Sequence, residues 1–325
     1  MAAETFIVTG ARRSAAEFSM DNLAESYQAV LCEVDFERGV VLRSYVEDKP
    51  DPAISVQAYS ASFRGCSRYG NTLYSCTHSE IVEFEIDNFT VKNRITLPVF
   101  NDLHHVMRSE NGLIFASTGI DHVGMIEAAQ TRLYPVLPQG DYAEVDPRAD
   151  YRVICTKPHK AHPNHVFRID GQLWVTRFEQ RDAVRLDNFD ERLAVEVERP
   201  HDGLVVDNRV YFTTVNGAIV VFDAKSRRRL EVHDLTQLQR NPKMGWCRGI
   251  EVVGDCAYVG FSTIRKTRSM DNLSFLTDRF MQWRDGLLNA APARIMKYDL
   301  RRRKIVSEMR FRHSELGIMF SILRS

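Results

Sequence analysis

What most constrains the fold of this 325-residue chain is a unit that recurs five times. The stretches "RGCSRYGNTLYSCT", "HHVMRSENGLIFAST", "NHVFRIDGQLWVTRF", "DGLVVDNRVYFTTV" and "RGIEVVGDCAYVGF" share one plan. In each, a small or histidine residue precedes an apolar strand, a tight turn follows, and a second strand rich in aromatic and β-branched residues comes next. The turns ("YGN", "ENG", "DG", "DN", "GD") carry the residues that hairpins need where φ is positive. A reference position in each unit falls at Gly65, His105, His165, Gly203 and Gly249, giving spacings of 40, 60, 38 and 46. The long interval holds an insertion, "QGDYAEVDPRADYRVICTKPHKA".

Third and fourth strands follow each pair, as in "SEIVEFEID" with "VKNRITLPV" and "GAIVVFDAK" with "RRLEVHDL". Repeated four-stranded antiparallel units read as the blades of a β-propeller. The C-terminal "ELGIMFSILRS" has the pattern of a first strand without its blade. The N-terminal "TFIVTG", "QAVLCEVDF" and "GVVLRSYVE" resemble strands two to four without their first. Joined, they make a sixth blade, and closure leaves no long sheet edge exposed. The expected fold is therefore an all-β, six-bladed propeller spanning 1–325 as a single domain, with short helical insertions on its top face. The pentapeptide SMDNL occurs at Ser19–Leu23 and at Ser269–Leu273. Both copies follow second strands of neighbouring blades, in helix-patterned connections that would lie over one mouth.

Aligning the first strands places Arg64, His104, Asn164, Asp202, Arg248 and Leu316 at equivalent positions, expected to converge on the axis. His105 and His165 occupy the reference position, turned the other way by strand alternation. His162, His201, Trp246, Cys247, His313 and Glu315 lie nearby, so six of ten histidines fall in this slice. Imidazole and carboxylate groups on rigid strand ends are what a divalent metal needs. They equally suit acid–base work, and histidines at strand starts also cap backbone groups. The expectation is a divalent ion, whether zinc, iron, manganese or calcium, on His104, Asn164 and Asp202. His105, His165, His201 and Glu315 are the candidate proton carriers. Arg64, Arg248 and Trp246 are the candidate substrate-binding residues, the arginines favouring an anionic small molecule through bidentate hydrogen bonds.

Forty-three basic residues balance 43 acidic ones, which excludes the basic footprint of a nucleic-acid binder. No run approaches a membrane span, and the N-terminus lacks a charged region followed by a long apolar one. A cytoplasmic protein with reduced cysteines is expected, since its six cysteines form neither CxxC pairs nor zinc spacings.

At "RPHDGLVVDNRVYFTTVNGAIVVFD" the chain resembles the gluconolactonase, paraoxonase and strictosidine synthase group of six-bladed propellers, with "HPNHVFRIDGQLWVT" a looser match. The resemblance implies a top-face site, with Asp202 in the place of an Asp ligand and Asn164 in that of an Asn ligand to an axial cation, often calcium. No glutamate completes that set here. The group's metal-free member works through a glutamate, for which Glu315 is the nearby candidate. The expected activity is lactone or ester hydrolysis, or a related elimination or cyclisation. The alternatives are a non-enzymatic propeller binding a protein or carbohydrate on its top face, and an iron-dependent oxygenase.

Overall fold

A computed structural model describes residues 4–13, 27–47, 61–128, 130–238, 245–263 and 291–325. Six four-stranded antiparallel sheets account for all 24 strands among them. In chain order, blade one lies within residues 66–95, blade two within 103–135, blade three within 163–194, blade four within 200–234 and blade five within 247–310. Blade six takes its inner strand from Ile318–Arg324 and its other three from Thr5–Arg13, Tyr27–Asp35 and Val40–Glu47. Val8 pairs with Ile322, so the two ends of the chain share one sheet, as the strand pattern predicts.

The inner strands meet in cyclic order, each touching the next and Ile318–Arg324 touching both Cys247–Val253 and Cys66–Tyr69. This closes the ring. Second strands lie between neighbouring blades and are buried at nearly every position, as in "GLIFAS" and "VYFTT". Outer strands such as Val91–Ile95 and Lys304–Arg310 are largely exposed. Burial on both faces explains why the second strands read as continuous apolar runs while the outer ones are mostly polar.

The hairpin turns behave as their residues require. Asp170 and Gly171 both take positive φ (49° and 78°), as do Asp207 and Asn208 (46° and 62°). Two consecutive residues of this kind are what a two-residue turn needs to match strand twist. The helices expected around Ser14–Glu17 and Leu273–Leu287, with both SMDNL copies, lie outside the described residues.

One local device is shared by the inner strands. Pairing with the second strand skips His104, Asn164 and Phe320, and it skips Asp202 with Gly203 and Arg248 with Gly249. These are β-bulges at the same level of five blades, and a bulge re-aims the extra residue and frees backbone groups. Hydroxyls on second strands take up freed carbonyls of the neighbouring blade. Thr9 Oγ1 donates to the Arg64 carbonyl (2.5 Å) and Thr176 Oγ1 to that of Asp202 (2.6 Å). At the reference level the inner strands approach closely. A Cβ on Gly65 would stand 2.5 Å from the His104 carbonyl oxygen, which explains the small residue there.

Candidate functional site: the axial mouth

A cavity of about 490 Å³ opens beside the bulged residues. His104 and Arg248 reach it from inner strands, and Trp246 from the residue just before its inner strand. Phe178 and Glu179 come from the turn just after a second strand, while Lys157, His159, Lys160 and His162 come from the insertion between blades two and three. Arg199 and Val215 complete the wall from blade four. Among the described residues, four cations (Lys157, Lys160, Arg199, Arg248) therefore face one carboxylate, Glu179, which accepts from Arg199 Nε at 3.2 Å.

The guanidinium of Arg248 is layered between two rings, its Cζ 4.5 Å from the Trp246 centroid and 4.6 Å from that of Phe320. Phe320 also lies under Arg64, at 5.9 Å, and 6.4 Å from the His104 ring. The position expected for Leu316 is thus held by Phe320. Leu316 is fully buried in the hydrophobic cluster between blades five and six. The bulge fixes this assignment, because Ser321, not Gly317, stands at the reference level, within reach of Gly249.

Arg64 is buried and paired with Asp102, Nη1 to Oδ1 at 2.7 Å, and donates to the Leu103 carbonyl at 2.8 Å. Burial alone would raise Asp102, but Arg64 and a hydrogen bond from His78 hold its carboxyl well below the usual range. His104 Nδ1 lies 2.8 Å from the Asp102 carbonyl oxygen, which can only accept, so Nδ1 carries the proton and Nε2 the lone pair. Burial, with Arg64 beside it, keeps this imidazole well below its ordinary pKa and hence neutral. His159 and His162 face each other, Nδ1 to Nδ1 at 3.2 Å, and His159 Nε2 points to Asp102 Oδ2 at 4.0 Å. In the matching tautomers His159 accepts from His162 Nδ1–H, and His162 keeps its Nε2 lone pair. Burial brings His162 down to about 3.

Asn164 and His201 form a buried pair. Asn164 Nδ2 donates to the Pro200 carbonyl at 2.8 Å and to His201 Nδ1 at 3.1 Å, leaving Asn164 Oδ1 and His201 Nε2 without a hydrogen-bond partner among the described residues. Asp202 takes positive φ (66°), and its Oδ2 accepts from Thr213 Oγ1 (2.5 Å) and the Gly249 N–H (3.1 Å). Burial raises its pKa to about 6 against those hydrogen bonds.

Of the expected site residues only His104, Trp246 and Arg248 line the cavity; Arg64, Asn164, His201 and Asp202 lie outside its wall, and the others sit elsewhere. His105 and His165 stack on each other, and His105 Nδ1 accepts from the Val166 N–H at 3.4 Å; neither lines the cavity. Glu315 accepts from Arg312 Nε at 2.9 Å; burial would raise it, but these bonds hold it below the usual range, and it too is absent from the cavity wall. Cys66 and Cys247 are buried, and burial pushes the Cys66 thiol up to about 11. His159, Phe178 and the two lysines were not foreseen. The signal for His159 and the lysines is the long interval between the second and third units, which "TKPHKAH" closes; Phe178, beyond that interval, reads as an ordinary apolar strand end.

Among the described residues, no three His, Cys, Asp or Glu side chains are grouped to hold a metal ion. The three residues expected to do so are unequally suited. Arg64 Nη1 lies 3.3 Å from His104 Nδ1, which disfavours a cation there, whereas Asn164 Oδ1 and Asp202 offer oxygen.

No family model matches the chain, and no curated protein sequence matches it. Solved structures do match. A chain in the crystal structure of a nidogen/laminin complex superposes with a TM-score of 0.53 at 12% identity, covering 98% of this chain and 97% of that one. A Myceliophteria thermophila Cps50 (Swd1) β-propeller domain gives 0.49 at 9% identity, with 93% and 85% covered. Catalytically inactive virginiamycin B lyase from Staphylococcus aureus, with quinupristin, gives 0.45 at 13% identity, with 73% and 74% covered. Likeness at such identities concerns architecture and not chemistry. By its sheet order, its closure and the first of these matches, the chain is a six-bladed β-propeller.

Proposed function

We propose that the axial mouth binds a small anionic molecule and that His104 exchanges a proton with it, which suits ester or lactone hydrolysis or an elimination. The observation that carries this reading is the wall itself: among the described residues, four cations and one carboxylate around about 490 Å³, beside histidines that burial keeps neutral. A volume of this size falls among ordinary small-molecule pockets. The lysines and arginines supply charge and bidentate donors for a carboxylate or phosphate. His104, fixed through Nδ1 by the Asp102 carbonyl, presents Nε2 as a base, and an anion bound nearby raises its affinity for the proton. The "RPHDGL" resemblance points to the same reaction classes.

A calorimetric screen of small carboxylates, phosphates, neutral sugars and amines tests the reading. Anions should bind, weaken with added salt, and weaken at least about tenfold in Arg248→Ala. Binding confined to neutral or cationic compounds overturns it. Saturable binding without turnover of any ester, lactone or eliminable analogue leaves a binding module instead of an enzyme.

A divalent ion is the second reading, favoured by the orphaned Asn164 Oδ1. Asn164 and Asp202 would hold it, with ligand or water oxygens completing the shell, and a bound ion would polarise a carbonyl of the ligand. Elemental analysis of protein purified without a His-tag decides this reading. About one ion per chain, lost in Asp202→Ala, supports it, and metal-free protein indifferent to added divalent ions removes it.

A further inference from the structure

The apolar part of the mouth has a particular character. Among its described lining residues Val215 is the one branched aliphatic side chain, and the large apolar surfaces are the rings of Phe178 and Trp246. Their planes are inclined by only 25°, with centroids 6.5 Å apart. Both rings are fixed by their neighbours. His162 packs on Phe178 at 4.8 Å and His201 at 5.3 Å, while Trp246 is held by the Arg248 guanidinium at 4.5 Å. Arg199 also reaches over Phe178, at 5.6 Å. The cationic groups and the aromatic surfaces of this cavity therefore adjoin, with Arg248 layered on the very ring that lines the wall.

We propose that the ligand carries a flat aromatic ring next to its anionic group, the ring packing on Phe178 and Trp246 and the anion meeting Arg248 and the two lysines. This rests on the anion-binding reading above and adds the shape of the ligand. A saturated ligand of equal charge gains burial alone. A flat ring also gains stacking, which is worth up to about tenfold in affinity. Fixed rings lose little conformational freedom on binding, so this gain is retained.

Calorimetry on the full chain with three probes tests the proposal: trans-cinnamate, 3-cyclohexylpropanoate and cinnamyl alcohol. Cinnamate should bind about tenfold more tightly than its saturated counterpart, and Trp246→Leu or Phe178→Leu should bring cinnamate to the level of 3-cyclohexylpropanoate without changing the latter. An unchanged thermal midpoint in either variant shows that the fold is intact. Equal affinity for the two acids overturns the aromatic proposal and leaves the anion reading standing. Equal affinity for cinnamate and cinnamyl alcohol overturns the anion reading and leaves the ring. Failure of all three to bind overturns both.

Discussion

The imidazoles of His105 and His165 stack face to face, their centroids 3.7 Å apart and their planes inclined by 28°. They bridge the inner strands of blades two and three at the level where other blades hold glycine or serine. Two protonated rings cannot share that space.

Acid sensitivity follows. Burial brings His105 down to about 4 and His165 well below the ordinary imidazole value, whereas in the unfolded chain each titrates near 6.5. Between those values the unfolded chain binds more protons, so stability present above about pH 6.5 is lost as pH falls toward 4. The slope reaches about 1.4 kcal/mol per pH unit for each ring. Urea midpoints followed from neutral pH to about pH 5 should fall, and a His105→Gln, His165→Gln double variant should fall less steeply.

The Arg64–Asp102 pair behaves as a unit. Removing the guanidinium in Arg64→Ala strands a buried carboxylate and should cost about 3–5 kcal/mol. Adding Asp102→Asn should recover part of that loss. Equilibrium denaturation of the single and double variants measures both, and simple additivity would show that the pair is not coupled.

Asp202 titrates in the opposite sense. Its folded pKa of about 6 lies above the unfolded carboxylate value, so its contribution is fully present below about pH 4 and lost as pH rises through 6. Asp202→Asn keeps an oxygen for Thr213 and Gly249 and tolerates the positive φ. At pH above about 7 it should stabilise the protein by about 1 kcal/mol, less than the full shift implies because the side chain is only half-buried. A destabilised variant at that pH would instead indicate a bound cation that needs the charge.

Truncation after Leu316 removes the inner strand of blade six and exposes the Thr5–Arg13 strand to solvent along one edge. The expected result is loss of cooperative thermal unfolding by circular dichroism, not a lowered midpoint with the transition preserved.

Blade count, closure and five of the six axial positions were legible because five inner strands carry a glycine or histidine at one shared level, ahead of a recognisable hairpin. The sixth was misplaced at Leu316 because "ELGI" imitates "HDGL", whereas the true marker is Ser321, inside an unbroken apolar run. The hydroxyls that accompany the bulges were visible as Thr or Ser ending the second strands ("FIVT", "WVT", "YFTT"), a signal whose meaning needs the neighbouring blade. The site was only half legible. Strand ends gave its floor, but Lys157, His159 and Lys160 arrive from an insertion without periodicity, and Phe178 looks like any apolar strand end.

The pairing of Val8 with Ile322 also sets an order of events during synthesis. Three strands of the sixth blade leave the ribosome ahead of the other five blades, yet the strand that seats them against the axis emerges after all of those. Throughout that interval the Thr5–Arg13 strand offers an unpaired edge, a template for any passing strand. Contacts so distant in sequence close slowly. The chain is therefore most exposed to chaperones, and to aggregation, once the other five blades have been made, and that exposure ends when Ile318–Arg324 emerges to pair with Thr5–Arg13.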